Sequence, residues 1–147
     1  MTQIDFHINA TDKLAYACRL ARKGYGAGAR MVFHSNDAAW LARFDRELWT
    51  FSALDFVPHC LARDPLAAET PIVLATGDDA ESTPHHDVIV NVDRTTPETF
   101  SRFERMIEVV DSSEDDLEAA RQRYKFYRER GYPLTRHDLA AAANPTP

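Results

Sequence analysis

A chain of 147 residues, 44% hydrophobic and 27% charged, has the size and composition of one soluble globular domain; this excludes disorder over its bulk and removes the need for disulfide or metal staples. The formal net charge of −6 repels nucleic acid, so no direct nucleic-acid binding is expected, and any work near DNA would run through other proteins. The opening residues MTQIDFHINA lack the basic and apolar regions of a signal peptide, and no run approaches the roughly 20 apolar residues of a membrane span, so a cytoplasmic location without membrane contact is expected.

Gln3 to Ile8 alternates and predicts a strand, and Asn9 to Asp12 supplies caps for a helix over KLAYACRLARKGYG, with Leu14, Ala17, Cys18 and Ala21 on one face. Glycines 24, 26 and 28 end that helix, MVFHS predicts a second strand, and Asn36 or Asp37 caps a helix through AAWLARFDRELW. The stretch TFSALDFVPHCLARDPLAAE is irregular, with Pro58 and Pro65 marking extended or turn geometry. PIVLAT and VIVNV, on either side of the loop GDDAESTPHHD, suit strands buried on both faces. Thr96-Pro97-Glu98 reads as a cap with proline at the first helical position and predicts a helix over PETFSRFERMI, with a strand around IEVV. A last helix runs from about Glu114 to Arg130 and stops at Gly131, with Pro133 beyond. Strands alternating with helices predict a single α/β domain over residues 1–134, with a largely parallel sheet and helices on both faces; residues 135–147 read as a flexible tail.

Chemistry-bearing motifs are sparse. The cluster Gly24-Tyr25-Gly26-Ala27-Gly28 has the glycine density of a dinucleotide fingerprint, but it ends a helix and enters a strand, the reverse of what a phosphate cradle needs. His7, His34, His59 and His137 are scattered, His85-His86 is an adjacent loop pair, and Asp78, Asp79 and Glu81 read as a solvated loop, so no metal is implied. Cys18 and Cys60 form no CxxC and read as reduced structural residues; no GxSxG is present. No catalytic residue and no cofactor are expected, and the enzyme alternative, a small nucleotide- or metabolite-binding α/β enzyme, rests on fold alone.

The final helix carries more. Its first turn is acidic and its second half basic, which complements the helix dipole. At roughly 100° per residue, Arg121, Lys125 and Arg128 fall within an arc of about 60°, beside an apolar stripe of Leu117 and Tyr124, while Arg123 and Arg130 point elsewhere and read as solvated surface. Such a face suits a partner that is both acidic and apolar. A second candidate surface centres on Trp49 and Phe56 in the LW and DFVPH segments, read either as core or as aromatic anchors of an interface.

The order LW, then FVPH seven residues later, then buried strands, then a closing helix with RYKFYRERGYPL, resembles the chi subunit of the bacterial DNA polymerase III clamp-loader assembly over nearly the whole chain. The resemblance implies a Rossmann-like α/β domain without a nucleotide-binding motif. It implies a non-catalytic adaptor that bridges the acidic, Pro-Phe-ending tail of the single-stranded-DNA-binding protein to the psi subunit, or to another clamp-loader or helicase partner. The tail site carries over to Arg121, Tyr124, Lys125 and Arg128, with Val110 and Gly131 nearby, and the psi-facing site to Trp49, Phe56 and Pro58. Some relatives place a further cation one turn before Arg121, where this chain has Leu117 and Glu118, which implies a less cationic site.

Overall fold

Four-residue runs such as Met31–His34 and Ile72–Ala75 are too short for helices and are buried throughout, the condition that a parallel sheet covered on both faces imposes. The computed structural model describes residues 1–51, 56–77, 79 and 83–140. Its strands are β1 (Gln3–Ala10), β2 (Met31–His34), β3 (His59–Leu61), β4 (Ile72–Ala75), β5 (Val88–Asn91), β6 (Arg105–Asp111) and β7 (Leu134–Asp138); its helices are α1 (Lys13–Gly26), α2 (Ala38–Thr50) and α3 (Glu114–Glu129). The strands form one sheet in the order β3-β4-β2-β5-β6-β1-β7, and every pairing is parallel.

Strand alternation divides the core. Phe33, Val90, Ile107 and Val109 pack on one face with Cys18 and Ala21 of α1 and Phe44 of α2. Phe6, Val32, Ile89 and Met106 pack on the other with Ala120 and Tyr127 of α3. Burying each large apolar side chain contributes roughly 1.5–3 kcal/mol. The helices start where side chains take up orphan amides: Asp12 accepts from the Ala15 amide, Asp37 from that of Trp40, and Ser113 from that of Asp116. The glycine cluster is a helix stop, with Gly28 at φ +79° turning the chain into β2, and Gly131 at φ +78° ends the α3 segment in the same way.

Three expectations are corrected. The helix over PETFSRFERMI does not form: Phe100–Arg102 makes a single 3₁₀ turn, and Arg105 already belongs to β6. Phe100, Phe103, Met106 and Ile107 have helical spacing, but they are buried because the turn tucks two of them under α3 while the others alternate along a strand. The irregular stretch contains the edge strand β3. Residues 135–138, assigned to a flexible tail, lie in β7, which pairs in parallel with β1 and is tied to it by Asn9 Nδ2 donating to Asp138 Oδ1 at 2.9 Å and by Thr135 donating to Asp5. Residues 141–147 lie outside the described residues.

Candidate functional site: a cationic groove beside the last helix

Helix α3 buries Asp116, Ala120, Arg123 and Tyr127, a stripe at i, i+4, i+7 and i+11. Two of these are charged, and each is held by ions. Asp116 receives Lys13 Nζ at 2.8 Å and Arg94 Nε at 3.3 Å. Arg123 donates Nε to Glu108 Oε2 at 3.0 Å and Nη1 to the Arg94 carbonyl at 2.6 Å. Glu108 also accepts from the Tyr127 hydroxyl at 2.6 Å and from Asn91 Nδ2 at 2.7 Å. Burial and the Glu108 carboxylate hold the Tyr127 phenol above its ordinary range. Arg123 is therefore no solvated surface residue, which corrects the sequence reading: it is 5% exposed, and Glu108 is fully buried. The available signal was Glu108, an acid inside the apolar run MIEVV at a position facing α3.

With that stripe pinned to the sheet, the neighbouring face of α3 borders an open groove of about 610 Å³. Its apolar floor is Phe6 and Ile8 from β1 with Leu117 and Tyr124 from α3. Phe6 and Tyr124 pack with ring centroids 5.3 Å apart. Arg121, Lys125 and Arg128 stand along the helix side, and Arg136 of β7 lines the groove as well. Arg121 donates to Glu118 Oε2 at 3.0 Å, and hydrogen bonds from Gln122 and Arg121 hold the Glu118 carboxyl below its ordinary value. Among the described residues Lys125, Arg128 and Arg136 make no ion pair. Unpaired cations around an apolar floor suit an acidic ligand with a hydrophobic end.

Four of the six residues assigned to this site thus meet in one groove. Val110 is fully buried in the core beneath α3, and Gly131 is exposed at the end of the helix; neither lines the groove. The sequence reading missed Phe6, Ile8 and Arg136. The alternation of Phe6 and Ile8 was visible, but which helix the strand would meet was not.

The other candidate surface lies at the far edge of the sheet. Trp49, at the end of α2, and Phe56 are 54% and 61% exposed with ring centroids 5.4 Å apart, and Trp49 also packs on His59 of β3 at 4.6 Å. Pro58 is half-buried between Phe56 and His59. His59 is itself fixed, with Nδ1 2.7 Å from the Val57 carbonyl and Nε2 3.1 Å from that of Asp45. Leu61, two residues along the same strand, is 53% exposed. An exposed, tilted Trp49–Phe56 pair, with Trp49 packed on a fixed imidazole, forms a surface whose desolvation favours a protein partner.

Elsewhere the chemistry is quiet. Burial pushes the Cys18 thiol up to about 12, so it is not a thiolate nucleophile at neutral pH. Asp79 bonds Arg63 Nε at 2.9 Å, while Asp78 and Glu81 lie outside the described residues. No group of three or more potential metal ligands gathers among the described residues, and no helix among them is long and apolar enough to cross a membrane.

A family model described as DNA polymerase III chi subunit, HolC, matches residues 1–135. The chain belongs to the DNA polymerase III chi subunit family. It is 35% identical over 143 residues to the DNA polymerase III subunit chi of Pseudomonas aeruginosa, covering 95% of this chain and 98% of the relative. It is 26% identical over 127 residues to the subunit chi of Escherichia coli, covering 86% and 84% of the two chains. The chi family match spans all seven strands except the end of β7, so both candidate surfaces lie almost wholly within it.

Proposed function

We propose that this chain is a non-catalytic adaptor of the replicative DNA polymerase III clamp loader. It holds the acidic C-terminal tail of the single-stranded-DNA-binding protein in the α3 groove and presents Trp49, Phe56 and Pro58 to a psi subunit or another clamp-loader or helicase partner. The observation that carries this reading is the groove: three α3 cations, two of them in no ion pair among the described residues, beside the floor of Phe6, Ile8, Leu117 and Tyr124, on a protein whose overall net charge is −6. Tail carboxylates pair with the cations, and the terminal Phe enters the floor. Shielded charge-assisted hydrogen bonds contribute roughly 1.5–3 kcal/mol each and a buried Phe about as much, opposed by lost translational freedom and peptide ordering. A net affinity near micromolar, about −8 kcal/mol, results. Exposed pairing makes it weaken with salt.

The two surfaces are separable, since α3 and β1 carry one and the α2–β3 edge the other. Affinity capture from the native lysate should therefore recover the single-stranded-DNA-binding protein and clamp-loader subunits with the parent protein. Lys125→Glu should lose the former and keep the latter, and Trp49→Ala should do the reverse. Loss of both partners in either folded variant would overturn the two-surface reading.

A further inference from the structure

The groove has a second wall that the helical pattern does not reveal. Strand β7 pairs with β1 so that Arg136 sits opposite Phe6 in register, and in-register neighbours of a parallel pair project to the same face. Arg136 therefore rises on the α3 side of the sheet, and it lines the same groove as Phe6, Lys125 and Arg128. The next residue, His137, lies against His7 with ring centroids 5.0 Å apart, as alternation to the opposite face requires. Arg136 is exposed and, among the described residues, its side chain is in no hydrogen bond or ion pair, whereas Arg121 is already engaged by Glu118.

We infer that Arg136 is a specificity-determining residue of the groove: a cation on the β7 wall that, with Lys125 and Arg128 on the helix wall, clamps the carboxylates of an acidic, apolar-ended peptide lying over Phe6. The inference rests on the tail-binding reading given above. A clamp from two walls reads the peptide differently from a single helical row. The cations on α3 alone would attract any acidic segment, but a cation across the floor requires the carboxylates to lie within the groove, next to the apolar anchor. A guanidinium also offers a planar fork of donors matched to a carboxylate.

Titration of a fluorescent acidic peptide ending in Pro-Phe into the full chain tests this. Arg136→Gln should weaken binding about two- to fivefold, the range for a partly exposed charge pair. Arg136→Lys should retain most of the affinity. Arg43→Gln, an exposed cation on α2 across the sheet, should change it less than twofold. A peptide with its side-chain carboxylates converted to amides and its C-terminus amidated should bind the parent and Arg136→Gln equally. If Arg136→Gln binds within twofold of the parent while Lys125→Gln is weakened, Arg136 is no contact and the inference fails with the tail reading intact. If neither variant is weakened, the tail reading itself falls.

Discussion

Replacing Arg123 by Met tests whether α3 is pinned by a buried ion pair. The substitution keeps the aliphatic stem and removes the guanidinium, leaving Glu108 fully buried with only the Tyr127 hydroxyl at 2.6 Å and Asn91 Nδ2 at 2.7 Å as donors. The bond to the Arg94 carbonyl is lost as well. Removing one member of a buried pair costs about 3–5 kcal/mol, and because two neutral donors remain, the low end, about 3 kcal/mol, is expected. With a urea slope of about 2 kcal/mol per molar, the denaturation midpoint should fall by roughly 1.5 M. Adding Glu108→Gln to Arg123→Met removes the stranded charge while the amide oxygen still accepts from Asn91 Nδ2 and the amide nitrogen donates to the Tyr127 hydroxyl, whose proton turns to Thr96, and should recover about half of the loss. Arg128→Met, an exposed comparator on the same helix, should leave the midpoint within about 0.2 M. A shift below about 0.5 M for Arg123→Met, or no recovery in the double variant, would refute the pinning argument.

Glu118→Gln should strengthen binding of an acidic, Pro-Phe-ending peptide about two- to fivefold by releasing Arg121 and removing a like charge from the rim, as read by calorimetry at low salt. His7 is pushed down to about 4, chiefly by burial and then by the facing His137, so it stays neutral in the fold while the unfolded chain takes up a proton near pH 6.5. The stability it contributes is present above pH 6.5 and is lost as the pH falls towards 4; His7→Gln should flatten that part of a urea-midpoint-versus-pH profile, and an unchanged profile would count against it. Asp5 is pushed up by burial but drawn below its ordinary value by Thr135, Gln3 and Arg105, so Asp5→Asn should be less stable at neutral pH and should remove part of the loss on acidification through the Asp5 transition below about pH 4.

Much of this architecture is legible from patterning. The helix over Lys13–Gly26 and the cap at Asp37 follow from periodicity and punctuation, and the apolar runs at Met31, Ile72 and Val88 follow from their shortness and unbroken apolar character, because strands covered on both faces are buried nearly throughout. The misses have one cause: contacts made between distant segments. The residues of β7, LTRHD, carry no apolar alternation, since an edge strand is held by backbone pairing and by polar bonds to Asp5 and Asn9. Arg123 looks solvated because a helical wheel counts any cation as surface, and only the facing Glu108 reverses that. Half of the groove was readable, the helical half; the strand half depended on which strand β1 would pair with.

The central claim is that the face of α3 bearing Lys125 and Arg128 is a specific docking site for an acidic tail. Calorimetric titration of an acidic peptide ending in Pro-Phe into the parent, Lys125→Glu, Arg128→Glu and Arg43→Glu tests it most directly. All three variants change the net charge by the same amount, but Arg43 is exposed on α2 across the sheet from the groove. Measurable binding should be lost in the first two and change at most about twofold in the third. Equal weakening in all three would mean that the attraction is a diffuse charge effect and that the groove is not the site.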